Sequence, residues 1–244
     1  MMTGSSCLRM FVAAIGTAAA LLGLSSPASA ILEIALQENG GPITVVASTA
    51  TDFSSVSFTG TFGDFTVNIF GGSSDNGNAL SDLLSSTVSI KNNSGSTQTL
   101  HLWVTQTNYS LPPGTPLGVE SGLGGSVNTG TVGLAGIFQA YADAANNALG
   151  TGGFTNGPQT ATQTGSTLDT GSATGSFNRT GLYSLTSVVN FTMSGGGQAN
   201  YSDHINVTAV PEPATLLLIG TGLVGLSASL RRKRAATSST PSAV

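Results

Sequence analysis

Cysteine is almost absent from this 244-residue sequence, whose single cysteine is Cys7. Cys7 precedes an apolar run at residues 10–24 and does not follow it, so it cannot be a lipoprotein attachment site. We expect Cys7 to be removed together with that run, which leaves the rest of the chain without a thiol. This excludes disulfide bonds, cysteine metal sites and cysteine nucleophiles from the remaining chain.

Positive charge is equally scarce in the long middle part of the chain. Of seven Lys and Arg residues, only Lys91 and Arg179 lie between residues 31 and 209, where ten of the eleven acids are found. Two bases against ten acids give this part a formal charge near −8. Because phosphate binding needs clustered Lys or Arg, the sequence argues against a nucleic-acid partner and favours an acidic extracellular domain.

Sequence signatures of catalysis are also missing. The middle part has two histidines, His101 and His204, and a nucleophile relay would need one of them close to a hydroxyl group and an acid. Asp203 adjoins His204, but neighbours on a strand point to opposite faces of the sheet. The sequence contains no G-x-S-x-G or H-E-x-x-H motif and no paired-carboxylate motif. We therefore predict a protein that is not an enzyme and needs no cofactor.

Residues 1–30 have the three parts of a secretory signal peptide. Arg9 supplies a positive charge, the apolar run MFVAAIGTAAALLGL has 15 residues, and Ala28 and Ala30 supply the small-x-small pattern that signal peptidase reads. A run of 15 residues is short for a membrane span, which needs about 20. We therefore predict a signal peptide whose cleavage leaves Ile31 as the first residue.

Three features follow one another near the other end of the chain. The first is the tetrapeptide Val210, Pro211, Glu212 and Pro213. The second is residues 214–230, an uncharged run of 17 residues that as a helix would cover roughly 25 Å, the short end of what spans a bilayer. The third is a cluster of four bases, Arg231, Arg232, Lys233 and Arg234.

The basic cluster predicts the topology of the chain. Under the positive-inside rule the cluster stays in the cytoplasm, so residues 31–209 lie outside and residues 235–244 form a short cytoplasmic tail. A helix buried in the core is the alternative for the apolar run, and the four adjacent bases argue against it. The two prolines keep the preceding chain extended, the form in which a processing enzyme takes a chain into its cleft.

This arrangement resembles the PEP-CTERM sorting signal of bacterial surface proteins, whose three parts occur in the same order over residues 210–234. The resemblance implies recognition by an exosortase, a membrane-embedded cysteine protease or transpeptidase that cuts at or near the Pro-Glu-Pro motif. It also implies a Gram-negative bacterium that makes extracellular polysaccharide. The expected partners are signal peptidase, the exosortase, the inner membrane during a single-pass intermediate, and exopolysaccharide at the cell surface or outside the cell.

The domain between the two signals is rich in Thr, Ser, Gly and Asn, a composition typical of strands and turns. In residues 55–70 apolar and polar residues alternate, and the phase of the alternation changes at Gly63-Asp64. A two-residue turn there would place Phe62 opposite Phe65, with the apolar residues of both strands on one face. One buried and one wet face are typical of an antiparallel sheet, so we predict a mainly β, antiparallel β-sandwich-like domain.

Other segments of the domain extend this prediction. Strands are expected at residues 31–40, 43–49, 88–90, 98–109, 182–195 and 199–210, with the last two joined as a hairpin across Gly195–Gly197. One short helix is predicted from the spacing of Leu134, Ile137, Phe138, Tyr141, Ala145 and Leu149, with Gly150 as its stop. Residues 151–176 are poor in apolar side chains and are predicted to form a long surface loop.

Two weaker binding signals occur in the domain. Asp75, Asn76, Asn78 and Asp82 place hard oxygen ligands in a Gly-containing loop that favours calcium, although the EF-hand spacing is missing. The alternative is a solvated turn that caps a short helix at residues 79–84. Trp103 and Tyr109 could form an aromatic platform for sugar on an open sheet face, and the alternative is packing of a lone tryptophan.

The sequence thus favours a non-enzymatic surface or extracellular-matrix protein, exported by its signal peptide and sorted through its C-terminal motif. An association with exopolysaccharide or biofilm is expected from the resemblance. The alternative function is a carbohydrate-binding or adhesive module that uses the sheet face around Trp103.

Overall fold

The computed structural model describes residues 31–50, 54–210, 218–224 and 226. The predicted signal peptide, residues 1–30, lies outside the described residues. The same is true of Pro211, Glu212 and Pro213, and of the basic cluster and the tail that follows it.

Thirteen strands make up the described part of residues 31–209. They are β1 (Leu32–Glu38), β2 (Thr44–Thr49), β3 (Ser55–Phe62), β4 (Phe65–Asn76), β5 (Leu80–Asn92), β6 (Gln98–Tyr109), β7 (Leu117–Thr129), β8 (Phe138–Asp143), β9 (Phe154–Gln159), β10 (Thr162–Thr164), β11 (Thr167–Phe177), β12 (Tyr183–Met193) and β13 (Gln198–Ala209).

The strands form two sheets that pack face to face. Sheet A has six strands in the order β2-β1-β6-β12-β8-β9, and sheet B has seven in the order β10-β11-β7-β13-β5-β4-β3. Every strand pair in both sheets is antiparallel. One continuous apolar core lies between the sheets. The predicted antiparallel sandwich is therefore confirmed.

The hairpin predicted from the phase change is confirmed in detail. Phe62 lies opposite Phe65, and Gly60 lies opposite Val67, across a turn at Gly63-Asp64. Gly63 has a φ of +54°, a left-handed conformation that glycine adopts without steric cost.

The helix predicted over residues 134–149 is wrong. Its centre is strand β8, in which Phe138, Ala140 and Ala142 are buried while Gln139 and Tyr141 are half-buried. The helical spacing that suggested this helix includes residues of the flanking turns, and pairing of β8 with β12 decides the conformation. The short helix at residues 79–84, which belonged to the alternative to a calcium loop, is wrong for a similar reason, because residues 80–84 are part of strand β5, which pairs with β4 and β13.

The long loop predicted at residues 151–176 is also wrong. That segment contains β9, β10 and most of β11, which extend the edges of both sheets. Its polar composition misled the prediction because most side chains there are exposed, whereas the backbone ladder needs only peptide groups. A few buried side chains anchor the strands, among them Leu168 and Phe177.

The hairpin predicted across Gly195–Gly197 is wrong as well. β12 lies in sheet A and β13 in sheet B, so the connection between them crosses the sandwich. Gly195 approaches the backbone of Gly95 so closely that an added Cβ would lie 2.6 Å from the Gly95 carbonyl carbon. Glycine at this position therefore permits close packing of two connections, and the glycine run is not evidence for a hairpin.

Polar bridges join the two sheets within the apolar core. The Ser74 hydroxyl donates to Gln106 Oε1 at 3.0 Å, and the Ser187 hydroxyl donates to Asp203 Oδ2 at 2.8 Å. A third bridge runs from Gln159 Nε2 to the Ser121 hydroxyl at 3.0 Å. Each bridge pairs a strand of sheet A with one of sheet B, so the bridges fix the alignment of the sheets as well as their separation.

Asn92 fixes the connections at one end of the sandwich. Its fully buried side-chain amide donates to the carbonyl oxygens of Ser96, Met193 and Ser194 at 2.9–3.1 Å. Its Oδ1 accepts from the backbone N–H of Ser94 at 2.9 Å. One side chain thereby holds the β5–β6 connection against the β12–β13 connection.

Asn92→Ala should destabilise the domain by about 1–3 kcal/mol, because it removes the hydrogen bonds of a fully buried side chain that joins two connections. Urea unfolding measures the change. Asn93→Ala is the matched control, since Asn93 is exposed and donates to Thr66 Oγ1 at the surface, and it should change the stability by less than about 0.5 kcal/mol. Equal effects of the two variants would contradict the bridging role of Asn92.

Asp203 should make the domain less stable as the pH rises. Asp203 is 1% exposed, and its Oδ1 has no hydrogen-bond partner among the described residues. Burial raises the pKa of Asp203 to about 7, whereas an unfolded Asp titrates near 4. Between these values the folded state binds the extra proton, so the unfolding free energy falls with rising pH by a few kcal/mol in total.

Asp203→Asn should remove most of this pH dependence, while the exposed-site control Asp169→Asn should keep it. Urea unfolding at pH values between 4 and 8 measures both slopes. If the parent domain became more stable as the pH rises from 4 to 8, the raised pKa assigned to Asp203 would be contradicted.

Candidate functional site

The C-terminal motif begins where the central strand β13 leaves sheet B. β13 pairs with β5 on one side and β7 on the other. Thr208 lies opposite Leu80 of β5 and Gly118 of β7, and Ala209 lies opposite Leu117 of β7. Val210, the first residue of the motif, follows at once and is 41% exposed. The folded domain therefore reaches to the motif without a spacer.

Burial changes abruptly along the last residues of β13. Val207 is fully buried in the core, whereas Thr208 and Ala209 are exposed. Val210 continues the course of the strand, because a Cβ added to Gly118 would lie 3.6 Å from Val210 Cγ2. Thr208 and Ala209 are thus held by strand pairing, while Val207 is held by the core as well.

Ile31, the first residue that the structure describes, lies at the same end of the sandwich. The Thr107 N–H donates to the Ile31 carbonyl at 3.1 Å, and the Ile31 N–H donates to Thr107 Oγ1 at 3.0 Å. From there β6 runs on to Tyr109, and the following connection leads into Leu117, the partner of Ala209. Ile31 and the C-terminal motif therefore lie at one end of the domain.

Residues 218–224 and 226 are helical, and their apolar side chains are not packed on the sandwich. Leu218 is 72% exposed and Val224 is 68% exposed. The alternative of a buried core helix is therefore wrong. None of the helical residues that the structure describes belongs to a helix long and apolar enough to cross a membrane. Residues 214–217, 225 and 227–230 of the predicted span lie outside the described residues.

The two histidines lie on opposite outer faces of the sandwich. His204 faces outward from sheet B, with Nε2 3.7 Å from Glu120 Oε1. The Ser172 hydroxyl donates to Glu120 Oε1 at 2.8 Å, and Asn206 Nδ2 donates to Oε2 at 3.1 Å. These two hydrogen bonds, with a smaller contribution from His204, lower the pKa of Glu120.

The cluster around Glu120 does not have the geometry of a nucleophile relay. The Ser172 hydroxyl is bonded to the carboxylate, whereas a relay requires the hydroxyl to donate to the imidazole. Asp203, the sequence neighbour of His204, points inward and bonds to Ser187, as the alternation of a strand predicts.

The aromatic platform predicted from Trp103 and Tyr109 does not form. Tyr109 is fully buried, its ring stacks on Tyr183 at a centroid distance of 5.2 Å, and its hydroxyl donates to the Asp82 carbonyl. Trp103 lies on the outer face of sheet A and is 8% exposed. Trp103 and Tyr109 are an even number of residues apart, so in a regular strand their side chains would lie on the same face. Asn108 has a φ of +66°, and this irregularity turns Tyr109 into the core.

Other side chains surround Trp103 on the outer face of sheet A. His101 stacks on Trp103 at a centroid distance of 5.6 Å, and burial lowers the pKa of His101. The register places Gln139 two strands from Trp103, and Tyr141 in the next row of the same face. Tyr141 is half-buried, so its ring is more accessible than that of Trp103. The alternation of buried and half-buried residues along β8 is the signal that would have identified Tyr141. The helix predicted for this segment does not have that alternation.

One oxygen of the loop considered for calcium accepts hydrogen bonds from the backbone. Asn76 Oδ1 accepts from the backbone N–H of Leu111 at 2.8 Å and of Ser110 at 3.2 Å, so this oxygen ties two connections together. Asp75 and Asp82 lie opposite each other on β4 and β5. Burial and, to a lesser extent, the Asp75 charge raise the pKa of Asp82.

Asn78, the fourth residue of that loop, is exposed. Among the described residues no group of three His, Cys, Asp or Glu side chains could hold a metal ion. Calcium binding here stays a prediction.

Comparison with known families identifies one segment of the chain. Residues 209–233 match the family model of the PEP-CTERM protein-sorting motif. The match contains Val210, Pro211, Glu212 and Pro213, the apolar run, and the first three of the four bases. No curated protein matches the chain. The resemblance inferred from the sequence is therefore confirmed: the chain carries a PEP-CTERM protein-sorting motif, which implies recognition by an exosortase-type enzyme.

Proposed function

We propose that this protein is a non-enzymatic component of the cell surface or extracellular matrix, and that its apolar C-terminal segment is a temporary membrane anchor. The signal peptide exports residues 31–209, residues 214–230 hold the chain in the inner membrane, and an exosortase-type enzyme releases or transfers the domain. The observation that carries the proposal is the sorting motif at residues 209–233, placed directly after the last strand of a folded domain.

The helical residues after the motif support a role as an anchor. Leu218, Ile219, Leu223, Val224 and Leu226 are all more than half exposed, although burial of such side chains is strongly favourable in water. Because the sandwich does not cover them, a lipid environment is the arrangement that removes this apolar surface from water.

The positions of Ile31 and Val210, which flank the folded domain, support the same topology. Ile31 and Val210 lie at one end of the sandwich, so a precursor that still carries both apolar segments can fold with that end toward the bilayer. Neither segment has to cross the domain to reach the membrane. Folding is therefore compatible with a chain anchored at both ends.

The composition of the domain fits a matrix role. Its acidic character and lack of thiols suit a soluble extracellular protein, and the exposed faces carry mainly hydroxyl and amide groups that can hydrogen-bond to polysaccharide. Association with exopolysaccharide or biofilm is part of this proposal.

Loss of processing should retain the chain in the membrane. In a strain without the exosortase-type enzyme, and for Glu212→Gln in the parent strain, we expect the full chain to accumulate in the inner-membrane fraction. Asp169→Asn, an exposed acid within the domain, is the matched control and should reach the surface like the parent. Immunoblots of cell fractions measure the distribution, and equal surface levels with and without the enzyme would contradict the proposal.

A carbohydrate-binding or adhesive module is the second candidate, favoured by the outer face of sheet A. Trp103 with stacked His101, and Tyr141 with Gln139 nearby, combine ring surface with amide groups.

Polysaccharide pull-down distinguishes this candidate. Tyr141→Ala and Trp103→Ala should each reduce retention at least severalfold. His204→Ala, on the opposite face, should have no effect. Absence of binding by the parent protein, or unchanged binding by both aromatic variants, would remove the candidate.

A further inference from the structure

Few residues separate the paired end of β13 from the predicted membrane span. Residues 210–213 are the only ones between Ala209, which is paired with Leu117, and the first residue of the predicted span. Four extended residues cover at most about 14 Å. The enzyme must therefore reach the motif between a folded domain and the bilayer, within that distance.

Enzymes that cut a polypeptide bind it as extended chain, with main-chain hydrogen bonds like those of an added strand. The peptide groups of Thr208 and Ala209 are already used for pairing within sheet B. Residues on the domain side of the motif can therefore enter a cleft only after they leave the sheet.

The structure sets how far such an opening extends. Thr208 and Ala209 have exposed side chains, so their release breaks backbone hydrogen bonds and takes little apolar surface out of the core. Val207 is fully buried between the sheets, and its release would expose core surface. Local opening at a strand end is far less costly than global unfolding, and it is expected to stop at Val207.

We propose that the exosortase-type enzyme receives the motif only after Thr208 and Ala209 detach from their partners in β5 and β7, with Val207 as the fixed point. With Thr208 and Ala209 released, six residues, 208–213, separate Val207 from the first residue of the predicted span, and six extended residues cover about 20 Å. The paired end of β13 is thus a determinant of the processing rate, in addition to the motif itself. This inference rests on the proposed function, because it concerns the same processing step.

A disulfide that holds the end of β13 tests the inference. Thr208 and Leu80 are cross-strand partners with exposed side chains, so Leu80→Cys with Thr208→Cys can pin the end of the strand without entering the core. Lys91→Cys with Gln198→Cys is the matched control, because it links the same two strands at their other end. Both pairs are made in full-length chains that also carry Cys7→Ser.

The substrates are incubated with membranes that contain the exosortase-type enzyme, and the processed form is quantified with the disulfide oxidised and reduced. We expect the oxidised Thr208–Leu80 pair to be processed on the order of tenfold more slowly than its reduced form, because processing follows the population of the open state. The oxidised control pair should differ from its reduced form by less than about twofold. Equal rates for the oxidised and reduced Thr208–Leu80 pair, or equal slowing by both pairs, would overturn the inference.

A spacer provides the complementary variant. Insertion of six Gly and Ser residues between Ala209 and Val210 should speed processing severalfold, because the free chain no longer has to come from the sheet. The same insertion beside Gly152, where the structure has open space, should leave the rate unchanged. If the spacer has no effect while the parent is still processed, the proposed detachment of the end of β13 is contradicted, whereas the proposed sorting function is unaffected. If even the parent chain is not processed, the proposed function fails, and this inference with it.

Discussion

Pairing of β13 in the centre of sheet B is the constraint on which the rest of the structure depends. This strand bonds to β5 and β7, supplies Asp203 to the bridge between the sheets, and leads directly into the sorting motif. A change in the register of β13 by one residue would turn Ile205 and Val207 out of the core. The position at which the chain leaves the domain is therefore fixed by the same contacts that stabilise the domain.

Hydrogen bonds take a larger part in this interior than in a purely apolar sandwich. With no thiol after Cys7, the domain has no disulfide to hold it, and polar bridges such as Ser74–Gln106 and Ser187–Asp203 connect its sheets. Each bridge aligns two particular strands, because buried polar groups need their partners. The cost is a carboxyl at Asp203 whose pKa is raised by burial to about 7.

Local alternation predicted the fold where the strands have one apolar face. The hairpin at Gly63-Asp64 and strand β6 have such a pattern and were predicted correctly. Prediction was wrong where pairing over long sequence distances decides the conformation. β8 is held by β12, more than forty residues later, and β11 is polar because it is an exposed neighbour of β7. The crossing between β12 and β13 depends on the close approach of Gly195 to Gly95, which no local pattern encodes.

The sorting motif was predictable because its recognition depends on linear sequence, whereas Tyr109 was misassigned because one left-handed residue changed its face. The central claim is that the apolar C-terminal segment anchors the precursor and is absent from the working protein. The intact mass of the protein recovered from the cell surface or the medium tests this most directly. The account predicts a chain that begins at Ile31 and ends at or near residues 210–213. A surface form that retains residues 214–234 would contradict it.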